Sequence, residues 1–128
     1  MKKVNEKNYN GVTVKFYDVE TKEIDPIGFI EQLSQSGIQI QSIYVEEDVE
    51  FDMKMNTGHY TLEQLKEKYP QIKKMDFSTH FRVSGVLNDC PVKIEFKNDS
   101  NIVYLTSSSP TLELPDLLEK KTGQSLIM

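Results

Sequence analysis

The chain has 128 residues, which is the size of a single domain. Charged residues make up 27% and hydrophobic residues 38%, a composition typical of a globular protein and not of a disordered one. Fifteen Lys and Arg residues against twenty Asp and Glu residues give a net charge of -5. This charge argues against a nucleic-acid partner and favours a basic protein partner.

The N-terminal residues show no targeting pattern. Residues 1–10 are polar and lack the apolar run of a signal peptide, so we expect a flexible N-terminal arm followed by a single α+β domain over residues 11–128. No stretch contains the roughly 18 apolar residues of a membrane span. Because Cys90 is the single cysteine, no internal disulfide can form, and a cytoplasmic protein is expected.

The first predicted strand, helix and second strand follow the arm. Residues 12–17 alternate as a strand, with Val12, Val14 and Phe16 facing one way. Asp25 and Pro26 begin a helix, and Gly37 ends it. Residues 38–45 form the next strand, in which a shift of apolar phase indicates a bulge or burial of both faces. The inward face of the helix is expected to carry Ile27, Ile30, Leu33 and Ser34, with Phe29 beside it.

An acidic segment leads into a third predicted strand. Residues 46–48 read as a turn, and residues 49–55 alternate strictly between apolar and polar side chains. Residues 56–58 turn the chain again. Thr61 and Gln64 then have the spacing of a capping box, which predicts a short helix that stops at Tyr69 because Pro70 follows.

A three-stranded meander is predicted over residues 81–105 with its register. Residues 81–87 and 90–97 alternate on either side of Asn88-Asp89, and both turn residues tolerate positive φ. A two-residue turn there pairs Arg82 with Glu95, and a second turn over residues 98–101 leads into residues 102–106. The expected hydrophobic pairs are Phe81 with Phe96, Val83 with Ile94, Val103 with Phe96 and Leu105 with Ile94.

This register assigns the meander residues to two faces. The core face carries Phe81, Val83, Leu87, Cys90, Val92, Ile94, Phe96, Val103 and Leu105. The other face carries His80, Arg82, Ser84, Lys93, Glu95, Lys97, Ile102, Tyr104 and Thr106.

A last helix over residues 114–122, capped by Gly123, completes the order β-α-β-β-α-β-β-β-α. This order predicts an α+β fold, a two-layer sandwich with an antiparallel or mixed sheet of about six strands and helices on one face. The first six elements resemble a ferredoxin-like unit. The step Ser36-Gly37-Ile38-Gln39-Ile40 is similar to the corresponding corner of small ligand-sensing domains with that fold, which implies a ligand site near Gly37.

Candidate catalytic residues remain isolated in the sequence. Cys90 lies on the core face of the meander, which predicts a buried, unreactive thiol. His80 is expected on the outer surface and His59 in a turn. Neither has a readable set of partner ligands, so no catalytic, metal or cofactor site is predicted.

A protein-interaction surface is the favoured functional hypothesis. Ile102 and Tyr104 lie on the outer face of the meander with Arg82 and Glu95, and tyrosine is enriched at interfaces. The acidic residues Glu50 and Asp52 on the third strand would add a surface for a basic partner. We therefore expect a non-enzymatic protein-interaction or regulatory module that either binds a protein partner, for example a basic one, or associates with itself. The alternatives are a small-ligand sensor and an enzyme whose site is assembled from His59, His80 and acidic residues.

Overall fold

The computed structural model describes residues 1–20, 25–47, 58–67, 79–97, 100–109, 111–115 and 117. Residues 62–67 are helical, as are residues 114, 115 and 117. The remaining elements are, in chain order, β1 (Lys2–Tyr9), β2 (Val12–Asp18), α1 (Pro26–Gln35), β3 (Gln39–Glu47), β4 (Gly58–Tyr60), β5 (Thr79–Leu87), β6 (Cys90–Lys97) and β7 (Ile102–Ser107).

The described strands form one seven-stranded sheet in the order β1-β2-β7-β6-β5-β3-β4. Every neighbouring pair in that order is antiparallel. The predicted two-layer α+β sandwich with helices on one face is therefore wrong, because the sheet dominates the molecule and its helices are short. The strands on either side of α1, β2 and β3, are separated in the sheet by β7, β6 and β5, an order that does not fit a ferredoxin-like βαββαβ unit.

The predicted meander is confirmed in detail. Arg82 pairs with Glu95 in β5 and β6, and the hydrophobic pairs of β5, β6 and β7 have the expected register. Asn88 and Asp89 form the tight turn with φ values of 50° and 65°. Both residues adopt the left-handed conformation that a two-residue hairpin of this type requires. Alternation and turn chemistry therefore determine this part of the sheet locally.

The N-terminal arm predicted for residues 1–10 instead contains β1. This strand pairs along β2 with a register shift between Lys3 and Asn5. All of its residues are exposed, so the apolar alternation by which a strand is usually recognised is missing. Backbone hydrogen bonding to β2, and not burial, places this strand at the edge of the sheet.

Helix α1 follows its predicted signals. It begins at Pro26 after Asp25, although the Asp25 side chain makes no capping hydrogen bond. Gly37 lies beyond its end with a φ of 109°, a conformation that glycine adopts without strain. Pro26, Phe29, Ile30 and Leu33 are buried, whereas Ser34, which was predicted to face inward, is exposed. The phenyl ring of Phe29 stacks on that of Phe96 with 5.0 Å between ring centroids. The helix therefore packs on β6, the middle strand of the sheet.

The second helical segment has the predicted capping box. The Thr61 amide donates to Gln64 Oε1 at 2.9 Å, and the Gln64 amide donates to Thr61 Oγ1 at 3.2 Å. Leu65 is fully buried in the core. Residues 62–67 therefore pack on the same side of the sheet as α1.

Two predicted turns are strand residues instead. Glu46 and Glu47 end β3, and His59 lies within β4 rather than in a turn. The bulge expected in β3 is present as a register shift between Ile40 and Ser42. Opposite this shift, a Cβ on Gly85 would lie 2.5 Å from the Gln39 carbonyl oxygen, so the close approach of the two strands requires glycine.

Several predicted features fall outside the described residues. These are the strand over residues 49–55 with Glu50 and Asp52, most of the turn before Gly58, the end of the second helix at Tyr69 and Pro70, residues 98 and 99 of the second meander turn, and the last helix from residue 118 onward with its Gly123 cap.

The core lies between the sheet and the helical residues. We call the side of the sheet that packs on α1 the core face, and the opposite side the outer face. In β2 the core face carries Thr13, Lys15 and Tyr17, all buried, so the apolar residues Val12, Val14 and Phe16 face outward. The other buried residues of the hydrophobic core are Phe29, Ile30, Leu33, Ile38, Ile43, Val45, Leu65, Phe81, Val83, Val92, Ile94, Phe96, Val103, Leu105, Leu114 and Leu117.

Candidate interaction face of the sheet

One row of side chains crosses the outer face from one edge of the sheet to the other. Each member is the direct cross-strand neighbour of the next, and the row contains one residue from every described strand. We call it the central row; it comprises Asn5, Phe16, Tyr104, Glu95, Arg82, Tyr44 and His59. All the described helical residues of the core cluster pack on the other side of the sheet, so they leave this row uncovered.

Glu95 is the electrostatic centre of the row. Its carboxylate lies 3.3 Å from His80 Nε2, 3.4 Å from Arg82 Nε and 3.8 Å from Lys93 Nζ. The Glu95 side chain is 20% exposed, whereas those of Arg82 and Lys93 are 41% and 42% exposed. The carboxylate therefore lies below a rim of cationic side chains that reach toward solvent.

Arg82 links this centre to the aromatic part of the row. Its guanidinium carbon lies 5.6 Å from the centroid of the Tyr44 ring, within the range of a cation–π interaction. Its Nε is buried and lies near Glu95 without the alignment of a hydrogen bond. Arg82 is thus held by two loose contacts and presents a partly exposed cation on the outer face.

The β3–β4 end of the row contains Tyr44 and His59. The two rings lie 5.1 Å apart at a tilt of 53°, and Ser42 Oγ lies 2.7 Å from His59 Nδ1. The Tyr44 hydroxyl donates to Glu46 Oε2 at 3.2 Å. Burial, followed by this hydrogen bond, raises the pKa of Tyr44, so the hydroxyl stays protonated and remains a hydrogen-bond donor at neutral pH.

The β2–β7 end of the row contains Phe16 and Tyr104. Their ring centroids are 4.8 Å apart, and Lys7 Nζ lies 5.7 Å from the Phe16 ring. Tyr104 is 40% exposed, one of the largest exposures among the large hydrophobic side chains. Its neighbour Ile102 is half-buried. Both ends of the row therefore carry paired rings with the charged centre between them.

An open depression of about 360 Å³ adjoins the central row, toward the turn that joins β5 and β6. Its lining combines apolar groups with hydroxyl, amide and ammonium groups, supplied by Val12, Gln41, Ser84, Gly85, Pro91, Val92, Lys93, Thr106, Ser107 and Ser108. Gly37, near which a ligand was expected, does not line it. His59 and His80 do not line it either.

The predicted site residues are only partly brought together. Arg82, Glu95, Ile102 and Tyr104 share the outer face as expected, and His80 contacts Glu95, a carboxylate that sequence reasoning did not assign to it. His59 contacts Ser42 and Tyr44 instead. The two histidines therefore lie on one face but in separate clusters.

No assembled reaction centre is evident in the described part of the chain. Ser42 and His59 form a hydrogen-bonded pair, but no described carboxylate orients the imidazole. No group of three or more His, Cys, Asp or Glu side chains there could hold a metal ion. Cys90, the first residue of β6, is half-buried and not buried as predicted.

A buried polar cluster on the core face was missed by sequence reasoning. Lys15 Nζ, whose side chain is 2% exposed, lies 2.8 Å from Glu113 Oε1 and donates to the Leu112 carbonyl at 2.9 Å. The Tyr17 hydroxyl donates a short hydrogen bond to Glu113 Oε2 and accepts one from the Leu114 amide. Two side chains of β2 thereby fix the described residues 112–114 against the sheet.

Glu113 is the anion that makes this burial possible. Burial by itself raises the pKa of its carboxyl group, but hydrogen bonds from Lys15 and Tyr17 together with the Lys15 charge outweigh burial and lower the pKa to about 2. Burial and the bond to Glu113 also raise the pKa of Tyr17. The sequence signal for this cluster is the alternation of Lys15 and Tyr17 in β2, because a strand face that buries such side chains needs a polar partner for them.

Comparison with known protein families, with curated proteins and with solved structures gives no match. Within the described residues, no helix has the length and apolar character needed to cross a membrane.

Proposed function

We propose that this protein is a non-enzymatic protein-interaction module of the cytoplasm that binds its partner through the outer face of the sheet. The observation that carries the proposal is the central row: paired aromatic rings at both ends, a charged centre, and no described helix over it. Tyrosine and arginine are the residue types that contribute most to binding at protein interfaces, because they combine a large contact area with directed hydrogen bonds.

The charges on this face modify the expectation of a basic partner. Lys7, Arg82 and Lys93 accompany Glu95 and Glu46 on the described outer face, although the whole chain has a net charge of -5. A uniformly basic partner would be repelled by these cationic side chains. A partner with mixed charge, which offers carboxylates to Arg82 and cations to the acidic residues, fits the face better.

Alanine substitutions test the proposal with affinity capture from cell extract. We expect Tyr104→Ala and Arg82→Ala to weaken partner capture at least about tenfold, since loss of an anchor residue typically costs more than 1 kcal/mol. Gln35→Ala is the matched control, because Gln35 is exposed on α1 and away from the outer face. Equal capture by all three variants would contradict the proposal.

A second candidate function is small-ligand binding, which the depression beside Lys93 favours. Its hydroxyl and ammonium groups fit a small molecule with a carboxylate and an apolar part. A thermal-shift screen of amino acids and nucleotides tests it. A ligand that raises Tm by several degrees in the wild type but not in Lys93→Ala would support this function; no shift with any compound would count against it.

A further inference from the structure

We infer that the partner of the outer face is a second copy of this chain, bound face to face across a twofold axis that runs parallel to the strands between β5 and β6. This inference rests on the proposed function, because it names the occupant of the same surface. It follows from the order of side chains along the central row, which is self-complementary about that axis.

A twofold axis between β5 and β6 places each strand opposite a different strand of the other copy. β6 then faces β5 of the second copy, β7 faces β3, and β2 faces β4, as the strand order requires. Within the central row, Glu95 meets Arg82 of the other copy and Tyr104 meets Tyr44. At the two ends Phe16 meets His59.

The charged pair at the axis occurs twice by symmetry. Each Glu95 would gain a contact with the Arg82 guanidinium of the other copy. The Arg82 side chain is 41% exposed, and its Nε lies 3.4 Å from Glu95 of the same chain without forming a hydrogen bond. Closing the two faces over this pair removes it from water and strengthens the contact. The aromatic residues on either side supply the apolar area of the interface.

The outer face around the central row is close in size to a specific interface. Six strands spaced about 4.8 Å apart span roughly 29 Å; five residues span roughly 17 Å along five of these strands, and the three residues of β4 span roughly 10 Å. The footprint is therefore about 450 Å² on each copy before the relief of the side chains is added. Two such faces approach the lower limit of the roughly 1,200 Å² buried in stable interfaces.

Pairing through the edges of the sheet is disfavoured, because β4 has only three residues at one edge and β1 occupies the other. This edge strand carries Lys2, Lys3 and Lys7, and its ladder is interrupted between Lys3 and Asn5. Lysines and bulges are features that prevent an edge from pairing with another strand. Among the described surfaces, the outer face thus offers the better contact for a second copy.

A charge-swap experiment tests the inference by analytical ultracentrifugation of the full chain. We expect the wild type to sediment as a dimer, and Arg82→Glu and Glu95→Arg each to weaken dimerisation roughly 100-fold, because two like-charge contacts replace two ion pairs. An equimolar mixture of the two variants should form a heterodimer, since position 95 of each copy then meets the opposite charge at position 82 of the other. Within each variant chain, positions 82 and 95 still carry like charges. Rescue in the mixture therefore reports a contact between the two copies and not the Arg82–Glu95 contact within one chain.

The double variant Arg82→Glu/Glu95→Arg guards against failure of a single variant to fold. It restores opposite charges both within each chain and across the axis, and we expect it to dimerise within about threefold of the wild type. Far-ultraviolet circular dichroism checks the fold of each variant. A mixture that stays monomeric while the double variant is folded and monomeric would overturn the inference, as would single variants that dimerise as tightly as the wild type.

The failure of the inference can be told apart from failure of the proposed function. A monomeric wild type whose capture of another protein is lost in Arg82→Glu overturns the second copy as occupant but leaves the interaction face in place. A monomeric wild type whose capture is unchanged in Arg82→Glu overturns both. A dimer that persists in every variant uses another surface and also overturns the inference.

Discussion

The two faces of the sheet are made by the same strands but are stabilised in different ways. On the core face, side chains such as Phe81, Ile94 and Leu105 are almost completely buried, and the hydrophobic effect acts on each of them. On the outer face, the central row combines aromatic rings with an ion pair whose side chains are partly exposed to solvent. One face therefore specifies the fold, whereas the other leaves its side chains partly exposed and is the face that we propose for partner binding.

The largest contrast is expected between adjacent residues of β7. Leu105 is 1% exposed and Tyr104 is 40% exposed. We expect Leu105→Ala to lower the free energy of unfolding by roughly 3 kcal/mol because it leaves a cavity, and Tyr104→Ala by about 1 kcal/mol at most. Urea unfolding at low protein concentration measures both. Equal losses would show that the outer face is as important to stability as the core.

Adjacent residues of β5 provide a second test of the same contrast. Gly85→Ala places a Cβ 2.5 Å from the Gln39 carbonyl oxygen, and we expect a loss of about 2–3 kcal/mol because the backbone must move. Ser84→Ala, on the outer face, is the matched control and should change stability by less than about 0.5 kcal/mol. Thermal unfolding followed by circular dichroism compares the two; a harmless Gly85→Ala would show that β3 can shift.

The polar cluster of the core face should be sensitive to a single neutral substitution. Glu113→Gln removes the charge of the carboxylate that Lys15 contacts at 2.8 Å. The Lys15 side chain is 2% exposed and that of Glu113 is 32% exposed, so we expect a loss of roughly 1–2 kcal/mol. Glu63→Gln, exposed on the helical segment 62–67 and away from the cluster, is the control and should cost less than about 0.5 kcal/mol. Urea unfolding checks both, and a neutral Glu113→Gln would show that the cluster adds no stability.

Acid should weaken the same cluster gradually. The folded pKa of Glu113 is lowered to about 2 from its ordinary value of 4.5. The carboxylate therefore stabilises the folded state fully above about pH 4.5, and this contribution is lost as the pH falls toward 2, because the unfolded state binds the proton first. The difference in stability between wild type and Glu113→Gln should shrink over this range. A constant difference in urea unfolding across these pH values would contradict the assignment.

The parts of the fold that were predicted correctly depend on local signals. Asn88 and Asp89 tolerate the positive φ of the turn, and regular alternation in β5 and β6 then determines which residues pair. Pro26 and Gly37 bound α1 for equally local reasons. In each case neighbouring residues supply both the signal and the structure, so no distant contact is needed to read it.

The parts that were missed depend on distant partners. The alternation of β2 places Val12, Val14 and Phe16 on one face without showing which face is buried. Lys15 and Tyr17 are buried because Glu113 meets them from 98 and 96 residues away. β1 gives no hydrophobic signal because its stability comes from hydrogen bonds to β2. The same applies to the candidate site. The register of the meander assigns Tyr104, Arg82 and Glu95 to one face. Phe16, Tyr44 and His59 lie beside them because β2 pairs with β7, β3 with β5 and β4 with β3.

The sequence by itself determined the register of the meander, the limits of α1 and the capping box at Thr61. Each follows from side-chain periodicity, φ preferences and capping chemistry within a few residues. Only the tertiary structure decided the seven-strand order, the burial of Lys15 and Tyr17 in β2 and the central row, because these depend on which strands become neighbours. Backbone pairing between segments far apart in the chain is specified by the packing of the whole sheet, and no local pattern encodes it.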